Sequence, residues 1–195
     1  MTMFENILTL NNVAPRRKIA YKTILSAGLV VLAVVLPQLI HIVSGQPGGA
    51  KWLPMYLPVL IGGCMLGTKW GIVVGVLSPL TSFLITSLAG SPMPALQRLP
   101  FMMIELAVFA AVSGAFTKKI SENGAWAFAA VISAQLIGRC VFLGSAALFG
   151  ESAGLPLGMV WSQIRTGFVG LAVQAVLVPV IIIALKKIME KKSDE

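Results

Sequence analysis

Residues 124–149 read GAWAFAAVISAQLIGRCVFLGSAALF, an apolar run broken near its middle by a single arginine, Arg139. A run this long and this apolar is a candidate membrane helix. An arginine at its centre is costly, by roughly 2.5–3.5 kcal/mol on insertion scales. It must therefore face a bundle interior, a partner charge or a wet cavity. Two further apolar runs carry an ionisable group: FMMIEL at 101–106 contains Glu105, and WSQIRT at 161–166 contains Arg165. These three groups are expected to mark a binding site between helices, with the rest of the chain as the scaffold that positions them.

The bulk properties agree with a lipid environment. The chain is 57% apolar and 11% charged over 195 residues, far from an ordinary soluble domain. A net charge of +8 in a soluble protein would point to nucleic acid. Here the basic residues gather at the ends of apolar segments, where they set topology and meet anionic head groups, and no soluble domain is left to bind nucleic acid. Cys64 and Cys140 both fall inside apolar segments, so they are expected to be packing residues and not a disulfide framework. Arg16-Arg17-Lys18 precedes an apolar run too long for a signal-peptide core, and no small-x-small cleavage site stands out. The first segment is expected to remain in the membrane.

The predicted fold is an all-α integral membrane protein, one domain over 1–195, with six spans at about 20–43, 53–67, 70–89, 100–117, 124–149 and 159–185. Residues 1–15, with Phe4, Ile7, Leu8 and Leu10, read as an interfacial stretch. Pro37 predicts a kink late in the first span. Residues 44–52 are a loop by composition. The second apolar segment is short, about 15 residues where about 20 are expected. Gly71 and Gly75, and separately Ala130, Ala134 and Gly138, put small residues four apart on one helix face, which permits close helix approach. Eleven Lys and Arg lie at the N-terminus, Lys69, Lys118-Lys119 and the C-terminal tail, against Lys51 and Arg98 in the opposite loops. Both termini are therefore expected in the cytoplasm.

That topology sets depth. Glu105 falls about five residues, and Arg165 about six, below the outer ends of their helices, and Arg139 about ten, roughly 15 Å at the helical rise. Gln38, His41 and Gln163 share the outer half. The polar groups thus converge on an outward-opening pocket, with no line of them continuing to the inner side. Two arginines against one glutamate leave one positive charge in excess. A bound carboxylate or phosphate would neutralise it, and arginine's planar fork suits either group. Gln135 sits one turn before Arg139 on the same face, and Trp161 and Phe142 can supply apolar walls. The alternative is a purely structural network, in which Glu105 pairs with one arginine and backbone carbonyls satisfy the other. Gly45, Gly48, Gly49 and Trp52 are expected to act as a lid over the ligand; the alternative is a plain connector.

Enzyme signatures are missing. Asp194 is the only aspartate, and a single histidine with two intramembrane cysteines gives no zinc spacing, so no metal or other cofactor is expected. There is no nucleophile elbow and no phosphate-binding GxxxxGK[ST] loop.

The runs LPMYLPVL (53–60) and LGTKWGIVVGVLSPL (66–80), with IELAV at 104–108, resemble the substrate-binding S components of energy-coupling factor (ECF) vitamin transporters, over nearly the whole chain. The resemblance implies a bacterial plasma-membrane protein that captures a vitamin or precursor at its outer face. It also implies that the protein pairs with a transmembrane coupling subunit and two cytoplasmic ATPases, and topples to release its cargo. These partners would supply the ATP chemistry that this chain lacks. The family's first helix usually carries an Ala-xxx-Ala patch for the coupling subunit. Here Ala27 is followed by Val31, and Ala27, Gly28 and Ala33 are the small residues on offer. The competing readings are a self-sufficient secondary transporter or channel for a small anionic solute, and a structural membrane subunit without a ligand. Pantothenate, nicotinate, lipoate or a folate would each fit the charge excess.

Overall fold

The computed structural model describes residues 15–154 and 157–194. The expected interfacial stretch with Phe4, Ile7, Leu8 and Leu10 falls outside them. All regular structure among the described residues is helical: α1 (Pro15–Trp52), α2 (Tyr56–Leu66), α3 (Thr68–Leu88), α4 (Leu99–Ala115), α5 (Thr117–Glu122), α6 (Trp126–Phe149) and α7 (Leu157–Asp194). Four helical stretches are long and apolar enough to cross a membrane: Arg16–Val43 in α1, Thr68–Leu88, Trp126–Phe149, and Val160–Met189 in α7. The other two apolar helices are shorter, 11 residues in α2 and 17 in α4.

The connection from α1 to α2 departs from the sequence reading. Residues 44–52 were expected as a loop, yet the backbone is helical on both sides of Gly45, which alone breaks the helix with φ 67° and ψ −175°. Glycine takes that conformation without steric cost. Pro47 follows in the first turn of the resumed helix, where a missing N–H removes no internal bond. Composition alone marks Gly and Pro as loop formers, but here one glycine makes the break and the proline starts the next turn. Helix α2 begins at Tyr56, later than the expected start at 53. Leu53 has a positive φ of 48°, and the Tyr56 N–H donates to the Leu53 carbonyl at 3.0 Å. At the helical rise α2 is only about 17 Å long, roughly half a hydrocarbon core.

The bundle is closed by small residues at its crossings. A Cβ at Gly75 would stand 2.6 Å from the Leu106 carbonyl oxygen of α4, so α3 and α4 meet backbone to backbone. On α6, Ala130 and Ala134 are fully buried, and a Cβ at Gly138 would overlap the Phe109 ring of α4. Around these crossings lies the main apolar core, with Val59, Leu60, Cys64, Val74, Leu106, Phe109 and Ala110 all at 0% exposure. Polar ties finish the half of the bundle near the chain termini. The Thr117 hydroxyl donates to the Cys64 carbonyl at 2.7 Å, and the Lys186 ammonium reaches the Ile120 and Glu122 carbonyls at 3.3 Å each. Cys140, unlike Cys64, is exposed on α6.

Candidate functional site

At the end of the bundle away from the termini, a cavity of about 310 Å³ opens between late α1, the start of α2, late α3, the 92–95 connection and the start of α7. Its floor is the turn Leu53-Pro54-Met55-Tyr56; Pro92, Met93 and Pro94 form one wall, and Pro37 and Met102 contribute apolar surface. The wall is tied to α3: Ser82 Oγ donates to the Met93 carbonyl at 2.9 Å, and the Met93 N–H donates to Thr86 Oγ1 at 2.7 Å. Besides the hydroxyls of Tyr56 and Ser82, which are hydrogen-bonded elsewhere, the polar side chains that line this mostly apolar space are His41, Arg98 and Gln163. Among the described residues, the buried atoms His41 Nδ1 and Gln163 Oε1 have no hydrogen-bond partner, and Arg98, half-buried, makes no ion pair. Buried polar atoms are nearly always partnered in folded proteins, so these two unpartnered atoms close to Arg98 are exceptional.

Directly behind Tyr56 lies a second polar cluster, cut off from solvent. The Tyr56 hydroxyl donates to Glu105 Oε2 at 2.6 Å, and Arg139 Nη1 stands 3.0 Å from Glu105 Oε1. Glu105 has 0% exposure and Arg139 8%. The guanidinium also lies over the Tyr56 ring at 5.3 Å and the Phe142 ring at 5.8 Å, while Phe109 meets Tyr56 edge-on at 5.1 Å. The ion pair is close but not aligned as a hydrogen bond, and Arg139 Nε and Nη2 are likewise without partners among the described residues. Only Tyr56 of this cluster reaches the cavity lining.

The structure brings together some of the residues that the sequence singled out and separates others. His41 and Gln163 line the cavity, and Arg139 and Glu105 pair behind it. Gln135, on the same helix as Arg139, donates to the Leu171 carbonyl at 3.1 Å and so ties α6 to α7. Gln38 is half-buried on α1, outside the cavity lining, with its Nε2 unpartnered among the described residues. Arg165 is exposed and stacks over the Trp161 ring at 5.5 Å, and Trp161 is itself 53% exposed. Of the small residues on α1, Ala27 and Gly28 face outward and Ala33 is in the core at 0%. In the proposed lid, Gly45 is the helix break, Gly48 and Gly49 lie in helical backbone, and Trp52 ends that helix.

Four contributors escaped the sequence reading. Arg98 was counted as a topology marker in a loop, yet it stands at the cavity. Tyr56 sat in an apolar run with no sign that its hydroxyl had a buried acceptor. Ser82 and Thr86 look like ordinary helix residues until the 92–95 wall folds back on them.

A second groove of about 390 Å³, between α4 and α6, is lined by Pro100, Phe101, Ile104, Ser145, Phe149 and Ser152 among others. It has no charged group with which to orient a ligand, whereas binding pockets pair apolar walls with a few placed polar groups. The first cavity meets that description. The described residues thus form an apolar helical bundle with a cavity at one end.

The family described as ECF transporter, substrate-specific component, matches residues 17–182 of the chain. The protein belongs to that family, and is thus a membrane-embedded transporter component. No curated protein and no solved structure matches it.

Proposed function

We propose that the protein captures a small anionic vitamin or vitamin precursor in the cavity above Leu53–Tyr56, at the outer face of a bacterial plasma membrane. Uptake then requires an ECF coupling subunit and two cytoplasmic ATPases. The observation that carries this reading is the cavity's polar set: a guanidinium without a counter-charge among the described residues, Arg98, together with buried atoms on His41 and Gln163 that find no partner there. Glu105 and Arg139 neutralise each other behind Tyr56, so the attraction for an anion rests on Arg98 and not on the deeper arginine. The cavity volume is at the lower end of the range that encloses a drug-sized ligand, which favours a molecule the size of nicotinate or pantothenate over a folate.

The orientation belongs to the same proposal. Six membrane passages, with α2 as the short one, leave the cavity outside and both termini in the cytoplasm, in keeping with the excess of Lys and Arg at the terminal end. The test is ligand-induced thermal stabilisation of the purified chain by nicotinate, pantothenate and lipoate. At least one carboxylate should stabilise the wild type, and Arg98→Ala should weaken its binding by about 1.5–3 kcal/mol, the scale of a hydrogen bond to a charged group. Arg98→Lys should rescue only part of that loss, because the ammonium lacks the planar fork. Equal binding by wild type and Arg98→Ala would overturn the assignment.

A further inference from the structure

Three of the four residues of the cavity floor, Leu53 to Met55, are not helix, and they lie at the level where a membrane protein can least tolerate open backbone. Gln174 marks that level. It stands about 17 residues along α7 from Leu157, roughly 25 Å at the helical rise, near the middle of the apolar stretch Val160–Met189. Its side chain is 3% exposed, and its Nε2 donates to two consecutive backbone carbonyls, Trp52 and Leu53, at 2.9 Å each. One turn earlier on the same face, Gly170 brings α7 directly onto this backbone: a Cβ there would fall 2.5 Å from the Lys51 carbonyl oxygen and 2.7 Å from that of Trp52. The last carbonyls of a helix have no partner within it. Hydrocarbon offers no water to satisfy them, so non-helical backbone at this depth has to be met by protein groups.

From these contacts we infer that Gln174 is the positioning residue of the binding site, acting through the 52–56 backbone without touching ligand. Gln174 is not among the residues that line the cavity, whereas Leu53, Pro54, Met55 and Tyr56 all are. The Leu53 carbonyl accepts from both Gln174 and the Tyr56 N–H, so the amide locks the turn that starts α2 and sets the height of Tyr56. Through Tyr56 the lock extends to Glu105 and Arg139. One glutamine on α7 thereby fixes the floor, the aromatic ring in it and the charge pair behind it. This assignment of a role in ligand binding rests on the proposal that the cavity is the ligand site.

Backbone hydrogen exchange of the full chain in lipid nanodiscs tests the fastening without a ligand. In Gln174→Leu the Met55 and Tyr56 amides should exchange at least tenfold faster than in wild type, while amides at 127–134 in α6 keep their rates. Gln174→Asn, which keeps the amide on a shorter arm, should fall between; it decides the matter if the leucine variant does not fold. Dissociation of radiolabelled nicotinate, pantothenate or lipoate, whichever the wild type retains, should accelerate in the same order. Unchanged exchange at Met55 and Tyr56, or equal acceleration throughout the chain, would overturn the positioning role. If the wild type retains none of the three probes while the local exchange changes as expected, the fastening stands and the ligand reading falls.

Discussion

The two halves of this bundle solve opposite problems. Towards the chain termini, helices meet backbone to backbone at Gly75 and Gly114, and the core residues between them are buried. At the other end, α1 breaks at Gly45, α2 has not yet begun, and prolines and unpartnered polar atoms surround open space. The cavity lies beyond the start of the half-length helix α2, where its missing turns would otherwise fill space. Close packing in one half makes a rigid base for looseness in the other. The buried Glu105–Arg139 pair sits at the boundary between them.

Breaking the boundary should have the largest effect. Arg139→Ala leaves the fully buried Glu105 without its charge partner, and removing one partner of a buried pair typically costs about 3–5 kcal/mol. Denaturant unfolding in detergent should show that loss in full, and Glu105→Gln combined with Arg139→Met should recover most of it. A change inside the packed half comes next. Gly75→Ala forces a methyl against the Leu106 carbonyl and should destabilise by about 1–3 kcal/mol in the same unfolding assay, while ligand affinity stays the same. Arg165→Ala should have the smallest effect. Its guanidinium stacks on Trp161 away from the cavity, so affinity should move by less than about 0.5 kcal/mol, the range of a surface substitution. A large loss of affinity there would put Arg165 in the binding site, as the sequence reading expected.

The sequence revealed the membrane helices because long apolar runs and terminal Lys and Arg are read one segment at a time. It also singled out Arg139 and Glu105, since charge within a membrane helix needs a partner. Which partner was less legible: two arginines competed for one glutamate, and only the packing of α4 against α6 selects Arg139 over Arg165. Within the run 53–67 apolar side chains continue across the turn, so hydropathy could not show that the first three residues are not helix. Arg98 was hidden by its position in a connection, where a basic residue already had an explanation in the topology. Gln174 carried a signal that went unused. A glutamine in the middle of an apolar helix calls for a hydrogen-bond partner, but its partner, a pair of backbone carbonyls more than a hundred residues earlier, leaves no mark in the side-chain pattern.

The most direct test of the cavity as the ligand site is protection of a thiol placed in its wall. In a background lacking Cys64 and Cys140, Met93→Cys should react with an impermeant maleimide added from outside intact cells. A saturating carboxylate that stabilises the wild type should slow the reaction at least tenfold. A second single-cysteine variant, Ser152→Cys in the neighbouring apolar groove, should react at the same rate with and without it. Equal rates at Met93→Cys in both conditions, or protection found at Ser152→Cys alone, would contradict the account.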